Sequence, residues 1–269
     1  MVLFGQVRGA IAEVQRREWA LLCLETIGVL VGILIAFQLN EWAENRRETA
    51  RNRELVERLF DEAQRNVSWL RNQRDENDAI ISREVKFATA LLHDGQCPAN
   101  EDLWKSVYTV GWFPPIVVEN SVYDEMMGAG GLTAIENSSA RRAVSRFQSE
   151  LTMMKDRAAF IRLNSGPAVP IDDPNSNVSY DPTRDDPEDI TYNHAALCRD
   201  AAFKKRVADK VRDHQFVLSQ RGELVRSAIE VCSSLGRIVG KKCTPFRGGP
   251  LTGQDARYAE DAWKEAGQG

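Results

Sequence analysis

The chain has 269 residues, 28% charged and 43% hydrophobic, with a net charge of −4. That balance suits a folded body rather than a disordered one. It lacks the basic excess that neutralises phosphates, so no nucleic acid is expected as a partner.

Residues 1–18 form a short lead in which Arg8, Arg16 and Arg17 stand against Glu13. Residues 20–39 follow as ALLCLETIGVLVGILIAFQL, where Glu25 is the one charged side chain. At 1.5 Å per residue this run is about 30 Å long as a helix, the thickness of a bilayer's hydrocarbon core. Trp19 and Trp42 flank it, as amphipathic rings do at membrane–water boundaries. The sequence thus predicts a transmembrane helix over 19–42 with the lipid bilayer as its solvent. The run is too long for a signal-peptide core and no small-x-small cleavage site follows it, so a retained signal-anchor is expected. Arg46, Arg47, Arg51 and Arg53 after the span outnumber the basic residues before it, which by the positive-inside rule favours a cytoplasmic body. The four cysteines of the body favour the reverse, and the expectation is a cytoplasmic lead and a periplasmic body in a bacterial inner membrane.

One face of the span carries Glu25, Gly28, Gly32, Ala36 and Asn40. Small residues four apart let two helix backbones approach closely in lipid, and intramembrane acids usually face protein or water. This face is the predicted helix-association site, for a second copy or for another membrane helix. The alternative is that glycine is frequent in membrane helices and that Glu25 reaches up to the interface.

Glu25 followed by Gly32-Ile-Leu-Ile-Ala-Phe-Gln-Leu-Asn-Glu-Trp42 resembles the N-terminal signature of a family of uncharacterised bacterial single-pass membrane proteins. A second similarity is Ser121-Val-Tyr-Asp-Glu-Met-Met127, with Gly131-Leu132 and Ile135 after it. Together they cover Trp19 to Leu151, and the chain departs where Ala43 replaces the family's usual Asn. The resemblance implies a membrane anchor with a helical extramembrane body, and it implies no activity.

A helical body is predicted over 43–240. Val56, Phe60, Ala63, Val67 and Leu70 recur at steps of four and three, and Ile81, Val85, Ala88 and Leu92 resume the stripe. A break near Asp75–Asp78 is considered, since one helix over the whole stretch would reach about 80 Å. The charged residues between are read as solvated faces with i, i+4 pairs such as Glu54–Arg58. Asn100 and Ser121 are the predicted caps of two short helices, and Asn137 of a second long one. That helix's stripe is Ala140, Val144, Phe147, Leu151, Met154, Ala158 and Ile161. Trp104, Trp112, Phe113 and Tyr123 are expected to pack a bundle end rather than line a pocket.

Residues 164–194 hold five prolines and seven acidic residues, read as a surface loop whose spacing fits no EF-hand. A third long helix is expected over 195–239, with a kink at Gly222, and a weakly ordered tail over 241–269. The predicted fold is therefore mostly α: one transmembrane helix, then an elongated antiparallel bundle with an acidic loop and a loose tail.

Of the five cysteines, Cys23 lies in the span, and Cys97, Cys198, Cys232 and Cys243 are candidates for two disulfides of open connectivity. His93-x3-Cys97 and His194-x3-Cys198 share a metal-ligand spacing, but Gly95 and Pro98 break the first pair's helix, so a Cys97–Cys198 bond is preferred to zinc. No nucleotide, hydrolase or metalloprotease motif occurs, and no catalytic residue, metal or cofactor is assigned. The expected function is that of a structural or interaction protein, a scaffold or modulator that self-associates through its span. A ligand-sensing helical module and a membrane-tethered enzyme are the alternatives.

Overall fold

The computed structural model describes residues 3–108, 110, 115–164, 166–180, 182–183, 188–247 and 249–268. The described chain is mostly helical. Helix α1 spans Leu3–Ala88 and ends in a π-helical turn at Thr89–His93. Helices α2 (Glu101–Tyr108), α3 (Ser121–Gly128) and α4 (Ser138–Asn164) follow, with a 3-10 turn at Gly131–Ala134 before α4. Strands β1 (Ser176–Tyr180) and β2 (Glu188–Tyr192) form a hairpin, then come α5 (His194–Leu197), α6 (Ala201–Val239) and α7 (Gly253–Ala266). The chain divides into two units, Met1–Glu54 and Leu55–Gly269.

The first unit is helix alone. From Leu24 onward it is long and apolar enough to cross a membrane, and none of its most apolar window is buried.

The second unit is built around α6. Arg146 reaches Glu230, and Arg157 lies over the ring of Phe216, so α4 runs antiparallel to α6. Glu84 meets His214, while Phe60 lies beside Gly236, so residues 55–88 of α1 also run antiparallel to α6. Two apolar clusters result. One joins residues 55–70 of α1 to α3, α4 and residues 217–235 of α6, and the other joins Phe87, Leu91 and Trp104 to residues 197–211. All five positions of the first predicted stripe are buried, as are six of the seven on α4.

The second stripe has a different phase. Leu91 is buried and Leu92 exposed, and the interior side of α1 continues as Val56, Ala63, Leu70, Asn77, Glu84 and Leu91, every seventh residue. Two of those positions are polar, which disguises the repeat. The helix accordingly runs unbroken through Asp75–Asp78.

Three further expectations change. Within the 164–194 segment β1 and β2 pair antiparallel with register Ser176↔Tyr192 and Tyr180↔Glu188, and the approach to β1 is pinned to α6. Arg206 donates to Ala168 O at 2.7 Å and to Asp173 Oδ2 at 2.9 Å, and Ala168 and Val169 are buried. The helix expected over 195–239 starts twice, because Asn193 Oδ1 accepts from Ala196 N–H and Asp200 Oδ1 from Ala202 N–H. It passes Gly222 without interruption and ends at Gly240, whose φ of 73° is the left-handed cap glycine tolerates best. The tail is a packed helix: α7 lies on α6, Ser233 Oγ donates to Ala259 O, and Asn137 Nδ2 donates to Ala266 O at 2.8 Å. Trp112 and Phe113 lie outside the described residues.

Candidate functional site

In the first unit, Glu25, Gly28, Gly32, Ala36 and Asn40 advance by three and then four residues, which places them within about 120° of the helix circumference. All five are exposed. A methyl group added at Gly28 or Gly32 would meet nothing within 4 Å. The remaining surface of the stretch is equally open, with Leu24, Ile27, Leu30, Leu34 and Phe37 each more than half exposed. Below it, the Arg46 guanidinium sits 5.3 Å from the Trp42 ring. The helix therefore offers an apolar cylinder carrying one acid among glycines. Water solvates such a surface poorly, whereas lipid or a second helix covers it.

The cysteines of the second unit pair as Cys97–Cys198 and Cys232–Cys243, with Cα separations of 5.6 and 5.5 Å. The two His-x3-Cys segments do meet, but through sulfur. His194 stacks flat on Trp104, centroids 3.9 Å apart, and His93 bonds Asp94. Among the described residues no group of three His, Cys, Asp or Glu is placed to hold a metal. Trp104 itself packs against Phe87 and Phe203 and donates its indole N–H to Pro98 O at 2.8 Å.

Three buried polar sites escaped the sequence reading, which had assigned the charges of α1 to solvent. Glu62 reaches across to the start of α3, where its carboxylate accepts from Val122 N–H at 2.7 Å, from Tyr123 N–H and from Ser121 Oγ. Glu62, rather than Ser121, thus caps α3. Burial nevertheless pushes its carboxyl above the ordinary 4.5, against the pull of those donors. Arg71 and Arg74 converge on Asp255 at the start of α7, with Arg74 making a fork of 3.0 and 3.1 Å. The third is Glu84–His214, 2.7 Å from Oε2 to Nδ1, in which neither side chain is more than 4% exposed. Glu84 Oε1 has no hydrogen-bond partner among the described residues. This pair lies along α1 and α6 between the two apolar clusters.

No sequence signal marks these contacts, since their partners are at least 59 residues away, except where helical phase gives a hint. Asn77 and Glu84 fall on the seven-residue repeat, and that phase was the available clue. Shielded from solvent, the Glu84–His214 pair is suited to holding two helices together. No family model, curated protein or solved structure matches the chain.

Proposed function

We propose that the chain is a single-pass protein of the bacterial inner membrane, of the uncharacterised family it resembles, with residues 43–269 in the periplasm. Its role is that of an interaction protein, a scaffold or modulator that associates with a second copy or another membrane helix through Glu25, Gly28, Gly32, Ala36 and Asn40. The observation that carries this reading is the fully exposed apolar helix with a carboxylate set among small residues. A carboxylate within lipid is costly unless it faces protein or water, which favours a partnered face. The two disulfides support an oxidising compartment for the body.

Two experiments separate anchoring from association. A C-terminal alkaline phosphatase fusion is expected to be active, and an inactive fusion alongside an active cytoplasmic reporter would reverse the topology. An in-membrane dimerisation reporter carrying residues 19–42 should lose most of its signal with Gly32→Ile. An unchanged signal would remove the association role.

A further inference from the structure

A cavity of about 290 Å³ opens on the second unit, walled by Arg65, Ser68, Trp69 and Asn72 of α1, Glu119, and Phe246 and Arg247 of the segment after α6. We infer that it binds a small aromatic carboxylate, one flat ring bearing one negative charge.

The charge argument comes first. Arg65 is neutralised by Glu119, Nε to Oε2 at 2.5 Å. Arg247 has no carboxylate partner among the described residues, and its guanidinium instead lies 5.6 Å from the centre of the Trp69 ring. The cavity wall therefore carries one uncompensated positive charge. A guanidinium offers paired N–H donors in the spacing of a carboxylate's two oxygens. A cation over an indole can still donate through its edge, so the ring contact orients the group without using it up.

Shape and apolar surface select the rest of the ligand. Phe246 and Trp69 are both substantially exposed, at 66% and 43%, and both border the cavity. Two aromatic rings beside a single cation match a molecule with a flat apolar part and a charged end. The volume lies at the lower edge of the range usual for small-molecule sites, which suits one ring rather than several.

The site is also pre-organised, which limits the entropy lost on binding. The segment that supplies Phe246 and Arg247 is tied by the Cys232–Cys243 disulfide. Arg247 N–H donates to Ser68 Oγ at 3.2 Å, and Gly249 O accepts from Arg71 Nη1 at 3.1 Å. Asp255, held by the buried Arg71 and the half-buried Arg74, fixes the residues that follow.

The test is calorimetric titration of the full chain in detergent with phenylacetate, neutral benzyl alcohol and ring-free acetate. Phenylacetate is expected to bind, with benzyl alcohol weaker by about tenfold or more, the worth of one charged hydrogen bond, and acetate weaker by about tenfold or more for want of the ring's buried apolar surface. Arg247→Gln should weaken phenylacetate by about the same factor, with Arg247→Lys in between. Phe246→Ala should weaken it while leaving the preference for the anion intact. Arg247 and Phe246 are exposed, so these variants retain the fold, which circular dichroism checks. Absence of phenylacetate binding, equal binding of benzyl alcohol, or undiminished binding by Arg247→Gln would each overturn the assignment. Uptake of phenylacetate by the micelle appears equally in Arg247→Gln and so counts as the last of these.

Discussion

Two stretches of α1 are rich in apolar residues and treat them oppositely. Between Leu24 and Leu39 the large apolar side chains are 47% to 71% exposed, whereas Leu55, Val56, Leu59, Phe60, Val67 and Leu70 are at most 5% exposed. Apolar content alone does not separate them. In the first stretch apolar residues occur all round the helix, interrupted by small ones, so no single direction can be buried by the rest of the chain. In the second they recur on one side, with Glu57, Arg58 and Asp61 on the others, and that stripe is the side α3, α4 and α6 cover. One helix thus carries a surface that its own chain leaves open and a surface that its own chain covers.

If that contrast is right, perturbing the second unit costs folding energy and perturbing the first does not. The largest effect is expected from Cys97→Ser with Cys198→Ser. The bond spans a sequence separation of 101 residues. Loop-closure entropy puts its loss near 4.7 kcal/mol, against about 2.8 kcal/mol for the shorter Cys232–Cys243 loop. Urea titration of each double mutant reads the two losses, and a larger loss for the shorter loop would contradict the ranking.

Glu84→Ala follows. It removes the carboxylate that faces the buried His214 ring and should cost about 3 kcal/mol, while Glu84→Leu with His214→Leu should recover most of that. Recovery failing in the double mutant would mean that the pair does more than satisfy itself.

Gly236→Ala should cost about 2 kcal/mol, since an added methyl overlaps the carbonyl oxygen of Lys241 and presses on Phe60 Cε2. The same substitution at Gly32 meets nothing and should leave the unfolding transition of the second unit in place. Comparing the two by denaturation in detergent is the most direct way to break the contrast.

The smallest effect concerns pH. Glu62 has its carboxyl raised by burial, so the folded chain holds that proton more tightly than the unfolded one. The sign is fixed by linkage: stability associated with this group is greatest below the ordinary value of 4.5 and declines as pH rises toward the raised one. The stability difference between wild type and Glu62→Gln, measured from acid to neutral pH, should therefore shift against wild type as pH increases. A difference that grows in favour of wild type would show that the Val122 and Tyr123 N–H donors outweigh burial.

Much of the helical layout was legible, and the reasons are local. The stripes at Val56–Leu70 and Ala140–Ala158 repeat at helical spacing, and Asn100 and Asn137 accept the N–H bonds expected of caps, from Asp102 and Ala140. What stayed hidden depends on distant residues. Asp255 looks like one more acid in a polar tail until Arg71 and Arg74, over 180 residues earlier, are brought beside it. Glu84 looks like a surface charge until His214 arrives on α6. The acidic segment looks solvated because its composition is, yet Arg206 and two small buried residues are enough to hold its approach in place. The long apolar helix at the start of the chain was legible because unbroken apolar composition over some twenty residues is itself a property of sequence.

The two sulfur bridges also set how this chain would respond to being pulled. A tether in the membrane and a grip on α7 would load the backbone in series, but the Cys97–Cys198 bond offers a covalent shortcut past α2, α3, α4 and the hairpin. About 350 Å of contour, taking 101 residues at full extension, is thereby withheld from stretching. Single-molecule extension should lengthen by about 390 Å when reductant opens both bridges, the 101 residues of the longer loop and the 11 of the shorter, and tension in the oxidised chain would run through α1 and α6 while the segment between Cys97 and Cys198 bears none.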